Sequence, residues 1–139
     1  MILIQETVTN HYRGGYFTLT KAVGSVNMTG GAGTQDVAGF IVAGAMFETY
    51  LAIVDTILAG AGMTTWSVGT SGDTNRYGAT LALAAGTTVK PSDYAGDWSP
   101  TWGGAARDIR FTSAVGNFTT GVIRHELLYL TASALHAVT

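Results

Sequence analysis

The sequence predicts an all-β chain: an antiparallel two-sheet β-sandwich, jelly-roll-like, with about eight strands. Three observations carry that prediction. Glycine-centred turns recur at short intervals, at Gly14-Gly15, Gly30-Gly31, Gly60-Ala61-Gly62, Ser71-Gly72, Gly86, Gly103-Gly104 and Gly116-Asn117. The runs between them are rich in Thr, Val, Ile, Phe, Tyr and Trp, residues that pack well on a pleated surface. The one stretch with helical composition, Ala38 to Ala59, contains Gly39, Gly44 and the β-branched Ile41, Val42, Thr49, Ile53, Val54, Thr56 and Ile57, all of which weaken a helix.

The elements follow in order. Residues 1–12 form either a first strand or an arm that reaches a neighbouring molecule. Tyr16 to Thr20 alternates as a half-buried strand, with Phe17 and Leu19 expected in the core. The contested stretch is read as a short strand near Phe40 to Val42, a turn at Ala43-Gly44 and a long strand from Ala45 to Leu58, with a helix over Ala45 to Leu58 as the alternative. Met63 to Val68 puts Trp66 and Val68 on one side, and Tyr77 to Leu83 puts Ala79, Leu81 and Leu83 inward. Ile109 and Phe111 alternate with Arg110 and Thr112. Val122 to Leu130 sets Ile123, His125, Leu127 and Tyr129 against Val122, Arg124, Glu126, Leu128 and Leu130. Pro91 to Ala106 is the longest irregular stretch, and long loops often carry function, so its Tyr94, Trp98 and Trp102 are the candidate interaction surface.

The 139 residues suit a single domain spanning 1–139. The absence of cysteine removes thiolate metal sites, thiol nucleophiles and disulfides. Charged residues make up only 12% of the chain, about half the usual share. Such a surface suits a protein whose faces lie against neighbours. A net charge of −2 gives no basic footprint, so no nucleic-acid partner is expected. Val37 to Leu58 is the most apolar stretch, but Glu48 and Asp55 interrupt it where a spanning helix needs roughly 20 apolar residues, so no membrane insertion is expected. The start Met1-Ile2-Leu3-Ile4-Gln5-Glu6 lacks a basic signal-peptide region, and cytoplasmic synthesis is the expectation.

Motifs for catalysis are missing. No phosphate loop, dinucleotide fingerprint or nucleophile elbow occurs. His125-Glu126 begins like a zinc-protease helix but has no second histidine at helical spacing, and adjacent strand residues point to opposite faces. The reading is a partly buried strand histidine beside a solvent-facing acid. His11 and His136 complete the imidazoles, and nothing local brings the three together. Ser71, Asp73 and Asn75 alternate oxygen ligands as calcium loops do, but the distal glutamate is absent, so a turn between strands is the plainer reading. Arg107, Arg110 and Arg124 are expected to pair across strands with Asp108 and Glu126. No catalytic residue, cofactor or metal is expected.

The runs Trp66 to Tyr77, Ala106 to Thr112 and Gly116 to Arg124, with Tyr129, resemble a group of small virion structural proteins of tailed bacteriophages. The resemblance covers residues 12–131, and in the first third rests on the strand Gly14-Gly15-Tyr16-Phe17-Thr18-Leu19-Thr20. It implies a non-enzymatic β-sandwich present in many copies, as a capsid decoration or cement protein on the virion exterior or as part of a tail or fibre. Val68, Ile109, Phe111, Phe118, Val122 and Tyr129 would then make the core. Partners would be the major capsid protein and further copies of the chain, with a homotrimer suiting a threefold position. In the tail or fibre alternative, Tyr94, Trp98 and Trp102 would meet a host surface glycan. Leu127-Leu128-Tyr129-Leu130 is more apolar than a two-faced strand requires, so a neighbouring subunit is expected to cover part of it.

Overall fold

The computed structural model describes residues 4–12, 15–91 and 104–132, with side chains from residue 18 to 131 within these ranges. Nine strands run through them: β1 (Ile4–Tyr12), β2 (Gly15–Asn27), β3 (Thr34–Ile41), β4 (Met46–Ala59), β5 (Trp66–Thr70), β6 (Asp73–Leu81), β7 (Thr88–Val89), β8 (Arg107–Ser113) and β9 (Thr120–Ala132). Every pairing is antiparallel. One sheet has the order β1-β2-β9-β4-β7 and the other β3-β8-β5-β6.

That order is a jelly roll with one strand added. β5 pairs with β6, β4 with β7, β3 with β8 and β2 with β9, as in one long hairpin. Wrapping the hairpin on itself then lays β9 beside β4 and β8 beside β5. β1 turns back along β2, from Tyr12 opposite Gly15 to Ile4 opposite Val23, and forms the sheet edge.

The long-strand reading of Ala45 to Leu58 holds. Its glycines serve the β-structure: Gly39 (φ +62°) lies where β3 shifts register against β8, and Gly44 (φ +78°) lies in the turn before β4. Met46, Glu48, Tyr50, Ala52, Val54 and Leu58 point inward from β4. They meet Ile123, His125, Leu127 and Tyr129 of β9, Trp66 and Val68 of β5, and Ile109 and Phe111 of β8. Trp66 lies 6.1 Å from Phe111, ring to ring, and donates its indole N–H to the Ala82 carbonyl at 2.8 Å. Phe118 closes one end, fully buried and bonded through its backbone to Gly31 and Ala32.

Three facing expectations are corrected. Leu19 points outward and is 39% exposed, because the inward row of β2 is Thr20, Ala22, Gly24 and Val26. Ala79 is exposed, because β6 changes register against β5 next to Thr80, whose φ is +54°. Val122 lies on the outer row of β9 and is half-buried, whereas Val68, Ile109, Phe111, Phe118 and Tyr129 are buried as expected.

Candidate interaction surface

An antiparallel sheet packed on one side alternates apolar-in and polar-out. The sheet β3-β8-β5-β6 obeys this rule. Its outer side carries Asp36, Ser67, Ala79, Thr80, Asp108, Arg110 and Thr112. Arg110 grips Asp36 with two hydrogen bonds of 2.7 Å, which hold the Asp36 carboxyl below the usual carboxylate range. Asp108 accepts the Gly39 backbone N–H at 2.8 Å.

The outer side of the other sheet breaks the rule. Leu19 and Val23 of β2, Leu128 and Leu130 of β9, and Leu51 and Ile53 of β4 all point away from the core. The register sets Leu19 opposite Leu130, and Leu128 opposite both Lys21 and Thr49. Among them, Lys21 pairs with Glu126 at 3.1 Å, and Arg124 donates to Asp55 at 2.5 and 2.9 Å. The Arg124 bonds lower the Asp55 pKa. A recess of about 320 Å³ opens on this side, walled by Val23, Leu51 and Ile53 and bordered by Lys90, Arg124 and Glu126. Further along β4, Phe47 is 51% exposed with φ +52°, at a shift in the β4–β9 register.

Glu48 and His125 are buried between the sheets. The Glu48 side chain, 3% exposed, receives hydrogen bonds from Tyr77 Oη (2.6 Å) and Arg107 Nη2, and Arg76 Nε lies 3.6 Å away. These partners come from β6 and β8, so one carboxylate ties the two sheets together. Burial and the Glu48 charge push the Tyr77 hydroxyl pKa far up. His125 is 2% exposed and stacks on Phe40 with centroids 4.3 Å apart. Its Nδ1 shares a 2.9 Å hydrogen bond with Tyr50 Oη, and burial lowers its pKa to about 4. Gly24 makes room for the ring, since a Cβ there would lie 2.7 Å from Nε2.

Of the sequence candidates, His125 is a strand histidine beside an outward Glu126 as expected, but it is fully buried where partial burial was expected. Ser71 and Gly72 make the turn between Thr70 and Asp73, and Ser71, Asp73 and Asn75 are exposed. Among the described residues, no three His, Cys, Asp or Glu side chains cluster as a metal site needs. No helix there is long and apolar enough to cross a membrane. The arginines do pair across strands, but with Glu48, Asp36 and Asp55 in place of Asp108 and Glu126. Tyr94, Trp98, Trp102 and His136 lie outside the described residues. The Glu48 cluster was missed, although an acid alone in the apolar run from Val37 to Val54 already signals a buried partner.

No protein-family model matches the chain, and neither does any curated protein. Among solved structures it is similar to a chain of the cyanophage Pam1 capsid asymmetric unit, with a TM-score of 0.55 and 20% identity. The alignment covers 88% of this chain and 89% of that one, so the likeness is one of whole fold to whole fold.

Proposed function

We propose that this chain is a non-enzymatic structural protein of a tailed-phage virion, and that it decorates the exterior of the head shell as a cement protein. The observation that carries the reading is the end-to-end likeness to a chain of a phage capsid asymmetric unit. The low charge content and the apolar outer side of the five-stranded sheet support it, since both suit a molecule held among neighbours. A cement protein works by occupying many equivalent places at once, so that contacts of modest strength add through effective concentration. The sandwich suits that task, with strand ladders and the Glu48 tie between the sheets resisting deformation. The major capsid protein is the proposed partner.

The test is a cryo-EM reconstruction of the virus particle with the density of this chain assigned. Density repeated over the icosahedral shell is expected and gives the copy number. Density confined to the tail or a fibre end would overturn the cement role and move attention to Tyr94, Trp98 and Trp102 as a host-binding surface.

A further inference from the structure

We infer that the outer side of the sheet β1-β2-β9-β4-β7 is where copies of this chain bind one another, the Phe47 ring of one copy entering the Leu51–Ile53 recess of the next. This deepens the virion reading, on which its biological meaning rests, by naming the contact surface. Shape comes first. Phe47 is large, apolar and half exposed, in a left-handed conformation that costs a non-glycine residue free energy. Thr80 has a similar φ, so strain alone singles out nothing; a phenyl ring held in water does. The recess walled by Val23, Leu51 and Ile53 lies on the same side. Four residues of strand, about 13 Å, separate Phe47 from Leu51, so the ring cannot fill the recess of its own chain.

Charge selects the partner. Lys21 is paired with Glu126 and Arg124 with Asp55, so these four charges cancel within the surface. With Lys90 as the further cation at the rim of the recess, such a side carries little net charge, so it has little pull on a polyanion or an anionic membrane and repels a second copy little. Its ions are already bonded, which lowers the cost of covering them. Ring and recess lie on one side of one sheet, so two copies meeting face to face can exchange both contacts, and the assembly closes as a twofold pair.

The test is sedimentation velocity of the purified full chain over a concentration series, with Phe47→Asn, Ile53→Arg and, on the opposite outer side, Ala79→Arg. The parent and Ala79→Arg are expected to associate alike, and the other two at least 10-fold more weakly. Asparagine tolerates positive φ, so Phe47→Asn should melt no lower than the parent, separating lost contact from lost fold. Leu51→Gln replaces Ile53→Arg should the latter fail to fold. A parent that stays monomeric, either recess or ring variant associating as the parent does, or equal damage from Ala79→Arg would overturn the inference. A monomer seated on the shell would sink this surface and leave the virion role intact. The expected oligomer, absent from particles, would do the reverse.

Discussion

Glu48 and His125 both lie between the sheets, and they are held there by opposite means. Glu48 keeps its charge company with two arginines and a tyrosine hydroxyl drawn from the facing sheet. His125 has one hydrogen bond, to Tyr50, and is otherwise enclosed by Phe40 and Phe111. The difference shows two routes for placing polarity in a β-sandwich. A charge needs counter-charges and so acts as a tie between layers, whereas the neutral ring is held by one hydrogen bond, aromatic cover and the space given by Gly24, with its Nε2 buried and without a hydrogen-bond partner.

Removing the carboxylate should show the difference most strongly. Glu48→Ala leaves Arg76 and Arg107 without their buried counter-charge, so denaturant unfolding should give a loss of about 3–5 kcal/mol. Acid should act on the other site. The unfolded chain protonates His125 near pH 6.5 and the folded chain near 4, so its contribution is complete above pH 6.5 and falls as the pH drops toward 4. The loss over that window is about 3 kcal/mol, and it should be missing from the pH profile of His125→Gln. Gly24→Ala crowds the same ring and should cost about 1–3 kcal/mol, read from the same unfolding curves. On the polar outer surface, Asp36→Asn breaks a half-exposed pair with Arg110 and should cost less than about 1 kcal/mol, and still less in high salt. A large effect there would erase the contrast between buried and surface charge.

The local chemistry of the chain was enough to read most strands. Gly39, Gly44 and the β-branched residues told strand from helix between Ala38 and Ala59, and the alternation in β8 and β9 gave the inward rows. Reading failed where alternation was judged over too few residues or crossed an irregularity. Leu19 was judged from five residues of a 13-residue strand, and Ala79 lies beside the left-handed Thr80. Partners also escaped, because pairing is set by register between distant strands. Arg107 and Glu48 are 59 positions apart, and Arg124 and Asp55 are 69 apart. The apolar outer surface was half legible: Leu128 and Leu130 announced it from β9, but the share of β2 and β4 depended on strand order.

The nested pairing of the strands also sets a timetable. At the tip, Thr70 meets Asp73 across a two-residue turn, whereas Phe17 meets Ala132 across 115 positions of chain. Loops that close over long separations form slowly, so the β5–β6 hairpin should appear first and the β2–β9 ladder last, and the whole should fold on the millisecond-to-second scale of β-sandwiches. β9 is also an interior strand, lying between β2 and β4. On the ribosome, therefore, neither flanking strand can be closed into its sheet until β9 has emerged, and β2 and β4 each keep an open edge until then.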